Sequence, residues 1–303
     1  MVLFITLAAN AAVMTSKDTF FSKKTSLNCR GKLIDLSVPK VMGILNVTPD
    51  SFYDGGRYTT GDTIKARADR LFSEGADIID VGAYSSRPGA SEVTPEEEKQ
   101  RLRTALDYVR KQYPDAIISV DTFRAEVAEM AIKEYETDIV NDISAGRADP
   151  LMLETIARHS VPYIMMHMQG TPATMQANPV YENVVKEIMA FFAERLHQTS
   201  SFGIKDIIID PGFGFGKTVQ HNFRLLNGLS AFAVFELPIM AGLSRKSMIH
   251  KTLGITPEES LNGTTVLNTL ALVNGANLLR AHDVKEAREA VRLFIEYMDG
   301  KRL

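Results

Sequence analysis

The stretch "VMGILNVTPDSFYDGG", Val41–Gly56, opens as a strand and ends as something else. Val41–Val47 is a short, nearly continuous apolar run, the pattern of a strand covered on both faces. Asn46 sits near its end, and Thr48, Pro49, Asp50, Ser51, Asp54, Gly55 and Gly56 follow. A core strand that leads into groups able to hold an anion, a metal or a proton decides the fold only if the pattern recurs. Seven further runs repeat it: Ile78–Ala83, Ala116–Thr122, Asp138–Ile143, Val161–Met168, Asp206–Gly212, Leu237–Ser244 and Leu278–Val284.

Segments of helical period separate these runs. "TIKARADRLFSEGA" places Ile64, Ala68, Leu71 and Phe72 on one face, with Gly75 as its C-terminal stop. "TPEEEKQRLRTALDYVRKQYP" starts with Thr94 as N-cap, Pro95 at the first helical position and Glu97 two residues on, which predicts a capping box. "RAEVAEMAIKEY", "DPLMLETIARHS", "YENVVKEIMAFFAERLHQTSSFG", "NFRLLNGLSAF", "TPEESLNGTTVLNTLALVNGA" and "VKEAREAVRLFIEYM" continue the alternation. Eight strands, each followed by a helix, predict an α/β fold, a single (β/α)8 TIM barrel. An open doubly wound sheet competes, but it would not require eight units. We expect an N-terminal extension over residues 1–31 and the barrel over 32–303. "SLNCRGKLIDLSVPK" reads as a short hairpin closing the bottom of the barrel.

Composition narrows the function. A formal charge of −3 gives no global basic field for non-specific nucleic-acid binding. One cysteine, Cys29, excludes an internal disulfide framework and any multi-cysteine metal site. "MVLFITLAANAAVM" looks like a targeting segment, but it lacks a basic leading region and is too short to span a bilayer. We expect an upstream extension or a frayed tail there rather than export, with Met14 an alternative start, and a cytoplasmic body with no membrane partner.

In a barrel of this type the active site lies at the C-terminal ends of the strands. Those ends read Asn46; then Ser85, Ser86 and Arg87; Asp121; Asn141 and Asp142; His167; Asp210; Ser244, Arg245 and Lys246; and Arg280, His282 and Asp283. Any one of them is ordinary at a strand end, where turns begin. All eight together predict a ring that binds a flat polar molecule deep in the barrel and an anion near the rim. Asp121, Asn141 and Asp210 suit the edge of a heterocycle. Arg87, Arg280 and His282 offer cationic donors for phosphate. Asn46 can give one oxygen to a hard cation such as Mg2+, completed by phosphate and water. Lys246 is open between a Schiff-base nucleophile and a plain donor, and Arg245 between a ligand and a structural role. "GFGFGK" resembles a phosphate loop but lacks its full spacing, so its glycines are expected to let the backbone approach a ligand. His159, His197, His221 and His250 show no metal-ligand spacing.

"MGILNVTPDSF", "DVGAYSSRPGA", "SVDTF", "VNDISAG", "MHMQGTPATMQ", "DPGFGFGK", "GLSRKS" and "LLRAHDV" resemble, in order, the successive motifs of the dihydropteroate synthase family, from about Lys32 to the C-terminus. The resemblance implies condensation of 6-hydroxymethyl-7,8-dihydropterin pyrophosphate with para-aminobenzoate, giving 7,8-dihydropteroate and pyrophosphate. It implies Asp121, Asn141, Asp210, Lys246 and Arg280 around the pterin, with Arg280 stacked on it. Asn46, Arg87, Arg280 and His282 would take the pyrophosphate, Asn46 through Mg2+. Ser86, Arg87, Pro88, Phe215, Lys246 and Ser247 would take para-aminobenzoate. It further implies a homodimer, sensitivity to sulfonamides, and a lid formed by Asp50–Gly56. Two positions depart from the family pattern: Tyr84 stands where an acidic residue is frequent, and Ser86 where Thr is. Two other readings remain: a pterin methyltransferase, and a pterin-binding paralogue without catalysis.

Overall fold

A computed structural model describes residues 24–48, 60–84 and 93–300. The expected lid at Asp50–Gly56, the segment with Ser86, Arg87 and Pro88, and residues 1–23 lie outside the described residues. Two short strands come first, β1 (Ser26–Cys29) and β2 (Lys32–Asp35). Eight more follow: β3 (Lys40–Asn46), β4 (Ile78–Gly82), β5 (Ile118–Asp121), β6 (Ile139–Asp142), β7 (Tyr163–Met166), β8 (Ile207–Asp210), β9 (Met240–Ala241) and β10 (Leu278–Ala281). The helices are α1 (Thr60–Ser73), α2 (Pro95–Gln112), α3 (Ala125–Tyr135), α4 (Met152–His159), α5 (Val184–Ser201), α6 (Val219–Asn227), α7 (Ser247–Leu253), α8 (Leu261–Val273) and α9 (Val284–Gly300).

β3 to β10 run parallel, and β10 pairs with both β3 and β9. A single bridge, Ile209 to Ile239, joins β8 to the start of β9 and closes the ring. The fold is the expected (β/α)8 barrel. The run Leu237–Ser244, read as a full strand, keeps only two ladder residues. Pro238 has no N–H to give to a ladder, although its carbonyl accepts from Ile209 N at 3.0 Å. Helix α7 was not visible in the sequence, because seven residues hold too little periodicity. The segment "NFRLLNGLSAF" also divides, with α6 stopping before Gly228 and a 3-10 helix running Leu229–Phe235.

Side chains alternate along every strand. Outward residues such as Val41, Leu45, Ile79, Val81, Val120 and Val140 pack against Ile64, Leu71, Leu102 and Leu106 of the helices. Inward residues near the N-terminal ends form a separate plug: Met42, Ile78, Ile139, Ile164, Ile208, Met240 and Leu278. The β1–β2 hairpin is antiparallel, with Arg30 and Gly31 at positive φ in its turn, and it caps this plug from below. Leu27, Cys29 and Leu36 are fully buried against the plug, as a bottom-closing hairpin requires.

Helix ends follow local chemistry. Gly75 takes φ +88° after α1. Thr94 Oγ1 accepts from Glu97 N at 3.2 Å, but the reciprocal half of the expected capping box is not made. Glu97 pairs instead with Arg101 one turn on, at 2.5 Å. The complete box lies at α6, where Thr218 and His221 cap each other.

Candidate active site

Two residues beyond each plug residue, the inward face becomes the floor of a cavity. Ile78 leads to Asp80, Ile139 to Asn141, Ile208 to Asp210 and Leu278 to Arg280. The strand period carries the barrel from an apolar bottom to a polar top within one repeat. The cavity has a volume of about 720 Å³ and opens at the C-terminal ends of the strands. Asn46, Asp121, Asn141, Asp210, Phe215, Lys246, Ser247, Arg280 and His282 all line it. The structure therefore brings these nine together, while Asp142, His167 and Asp283 of the predicted ring do not line the cavity.

Arg280 organises the floor. Its Nε donates to Asp80 Oδ2 at 2.6 Å and its Nη2 to Asp121 Oδ2 at 2.7 Å. Asn141 Nδ2 donates to the same Asp80 oxygen at 3.0 Å, which fixes the orientation of the amide. Asp80 was missed in the sequence because it lies inside an apolar run rather than at its end. Its other oxygen, Oδ1, is buried without a hydrogen-bond partner. Three carboxylates, Asp80, Asp121 and Asp210, face two cations, Arg280 and Lys246, so the fully ionised floor carries one excess negative charge.

Burial shifts these groups. It pushes Asp121 up to about 7 against the opposing Arg280 charge, with Asp80 adding to the rise. Burial also raises Asp210, whose Oδ1 accepts from Gly212 N at 2.8 Å. It lowers Lys246 to about 8, helped by the Arg280 charge. Burial works against the charge on Arg280, but Asp80 and Asp121 more than offset it and hold the guanidinium protonated.

His282 corrects an expectation. Burial, and then the charges of Arg280, Arg245 and Arg67, hold it down to about 3, so it is neutral rather than cationic in the ligand-free protein. Ser244 Oγ lies 3.0 Å from its Nδ1, and Arg67 Nη2 donates to its carbonyl at 2.6 Å. Arg245 lines the cavity and also holds Asp283 through two hydrogen bonds, at 2.6 and 3.2 Å, which gives it a structural part. Asp142 turns out of the ring and accepts from Ser144 N, Gly146 N and Tyr163 Oη. His167 also turns away, towards Lys217.

The mouth is less polar. Tyr84 and Phe123 meet edge to face at 5.0 Å, and the Arg124 guanidinium lies 5.5 and 5.2 Å from their ring centres. Arg124 is fixed by the buried Glu98 at 2.5 Å. Phe215 packs with Ile143, Met166, Met168 and Met175, and Lys246 Nζ lies 4.2 Å from the centre of its ring. Two glycines of "GFGFGK", Gly212 and Gly216, serve contacts with protein, whereas Gly214 lines the cavity. A Cβ on Gly212 would sit 1.9 Å from His167 O, one on Gly216 2.6 Å from Gln169 O, and one on Gly214 3.0 Å from Lys246 Cδ. Among the described residues no group of three His, Cys, Asp or Glu side chains could hold a metal ion.

A deep polar floor beneath an aromatic mouth is a site for a flat heterocycle and a second ring. Residues 42–282 match the family described as pterin binding enzyme. The dihydropteroate synthase of Haemophilus influenzae is 43% identical over 270 residues, covering 88% of this chain and 97% of that protein. A Yersinia pestis dihydropteroate synthase solved as a sulfonamide drug complex superposes with a TM-score of 0.85 at 39% identity, covering 90% of this chain and 99% of that one. The Xanthomonas albilineans enzyme in complex with 7,8-dihydropteroate gives 0.81 at 37% identity, covering 90% and 98%. The fold and site thus define a pterin-binding enzyme. Within that class, the chain belongs to the dihydropteroate synthase family.

Proposed function

We propose that this chain joins 6-hydroxymethyl-7,8-dihydropterin pyrophosphate to para-aminobenzoate, a transferase step of folate biosynthesis. The observation that carries the reading is the Asp80–Arg280–Asp121 cluster with Asn141 and Asp210, a set of fixed donors and acceptors facing one cavity floor. The pterin edge would meet Asp121, Asn141 and Asp210, with Lys246 donating and Arg280 against the ring face. The Asp80 and Asp121 pairs that hold Arg280 in place support that stacking role.

In the step we envisage, the methylene carbon–oxygen bond breaks first and its electron pair leaves on pyrophosphate. The electron-rich pterin delocalises the resulting cation, and Asp121 and Asp210, where ionised, would stabilise it. The aminobenzoate nitrogen then supplies its lone pair to the carbon and loses a proton. Arg280 and His282, with Asn46 and Arg87, would hold the leaving group. The neutral His282 would gain basicity beside a bound polyanion. A single neutral amide oxygen suits Mg2+ that arrives on phosphate oxygens and keeps its waters, with Asn46 as the protein ligand. Such an ion would supply charge neutralisation to the departing group. The aromatic mouth, with Phe215, Lys246 and Ser247 beside Ser86, Arg87 and Pro88, would receive para-aminobenzoate and the sulfonamides that mimic it.

The reaction needs no covalent enzyme intermediate. Substantial activity in Lys246→Arg would exclude a Schiff base, and an adduct trapped by borohydride would overturn this reading. We further propose a cytoplasmic homodimer. Val266, Leu270 and Val273 of α8 and Leu293, Tyr297 and Met298 of α9 leave an apolar face exposed, which supports pairing through these helices. No helix among the described residues is long and apolar enough to cross a membrane. The deciding assay follows pyrophosphate release with and without para-aminobenzoate and with and without Mg2+. We expect release that needs Mg2+ and matches dihydropteroate formation mole for mole. Pterin binding without release would favour the non-catalytic paralogue, and methyl transfer from a methylated folate the methyltransferase.

A further inference from the structure

Lys217 closes the "GFGFGK" segment, and its ammonium lies behind the cavity wall rather than in it. The residue is 2% exposed, and substrate cannot reach it from the cavity. Its Nζ donates to Gly212 O at 2.8 Å and to Phe215 O at 3.0 Å, and lies 3.0 Å from His167 Nδ1. The His167 carbonyl lies further off, at 3.5 Å, so Nζ is ringed by polar partners. Burial, and then the Lys217 charge, hold the His167 imidazole down to about 2. Burial alone would discharge Lys217, and it lowers the group to about 7. The charge of Asp210 opposes burial, and that of Lys246 adds to it.

The remaining backbone of the loop is fastened from outside. Asn222 Oδ1 accepts from Gly214 N at 2.7 Å, Gln176 Nε2 donates to Gly214 O at 2.6 Å, and Tyr181 Oη donates to Gly216 O at 3.0 Å. Lys217 is the one anchor that binds both ends of the turn, Gly212 and Phe215, to the end of β7. The cavity-facing products of this turn are the Phe215 ring and the Gly214 surface against the Lys246 side chain.

We infer that Lys217 is a positioning residue for the second substrate: its buried side chain ties both ends of the turn together and so sets the Phe215 ring at the cavity mouth. The inference rests on the proposed function, in which Phe215 faces para-aminobenzoate. It predicts a split between the substrates. The floor groups are held by strand ladders and by Arg280, whereas the Phe215 wall is held by the turn.

The test compares wild type with Lys217→Met, which keeps length and removes the donors. We expect the KM for para-aminobenzoate to rise tenfold or more while the Kd for the pterin pyrophosphate changes by less than threefold. An unchanged para-aminobenzoate KM overturns the inference, and so does equal weakening of both substrates, which would mean general loosening. Should Lys217→Met fail to fold, Lys217→Gln keeps a polar buried end but is too short to reach both carbonyls. A threefold or larger rise in the para-aminobenzoate KM, with Tm retained, then supports the inference, and no rise overturns it. Wild type assayed alongside separates the two claims. If wild type makes no dihydropteroate, the proposed function fails and takes this inference with it; if wild type is active and the variants show no split, this inference alone fails.

Discussion

The two ends of the barrel are made by the same strands and differ in almost everything else. At the bottom, Met42, Ile78, Ile139, Ile164, Ile208, Met240 and Leu278 meet Leu27, Cys29 and Leu36 in an apolar plug. Two residues higher, the inward positions include Asp80, Asn141, Asp210 and Arg280, with charges held partly out of water. The plug gains stability by burying apolar surface. The floor does the opposite, holding an unpartnered carboxylate oxygen of the buried Asp80 and shifted ionisations at Asp121 and Lys246. Stability and chemistry are separated by one repeat of the strand.

Substitutions at the two ends should therefore fail in different ways. Asp210→Asn should lower kcat/KM by roughly 10²–10³-fold through lost electrostatic stabilisation, with Tm within about 2 °C of wild type. A large drop in Tm would show that the floor also bears the fold. Leu36→Ala should do the reverse, costing about 2–5 kcal/mol in denaturant unfolding while kcat/KM at 25 °C stays within about twofold. A plug substitution that cut activity in the folded protein would break the separation.

Smaller effects sharpen it. Asp121 must be ionised and Lys246 protonated for the proposed reaction. Asp121, raised to about 7, gains activity as pH rises through that value, and Lys246, lowered to about 8, loses it above. The profile of kcat/KM should be a narrow bell between these values. Asp121→Asn should remove its acid limb, and Lys246→Arg its alkaline limb. Tyr84→Glu should have the smallest effect, less than about threefold on the para-aminobenzoate KM. The neighbouring Arg124 would exchange a contact with a ring for one with a carboxylate.

Much of this was legible in the sequence. Eight apolar runs gave the barrel, and reading their ends gave the ring of polar groups, because turns begin where strands stop. Asp80 escaped because an acidic residue in mid-strand has no local signature. Its signal is relational: it lies two positions after Ile78, as Asn141 follows Ile139 and Asp210 follows Ile208. Asp142 and His167 were placed in the ring because proximity to a strand end does not give the face. Alternation from the plug residue does, and it turns Asp142 outward. The neutrality of His282 was invisible as well, since it depends first on burial and then on Arg280 two residues away and on Arg245 and Arg67, distant in sequence. Lys217 illustrates a further limit. A glycine-rich segment ending in lysine suggests a bound phosphate, and only the packing shows the turn closed around its own ammonium.

One feature of the ring reaches into the chemistry. Every neighbouring pair of barrel strands shares at least two residue pairs in register, except β8 and β9, which share a single bridge. The barrel is thus a split ring with one stitch across its gap. Asp210 rises from one lip and Lys246 follows the other, so two groups proposed to hold the same heterocycle stand on opposite sides of the seam. A ligand held by both would act as a second stitch, and the wall would be most rigid when the pocket is full.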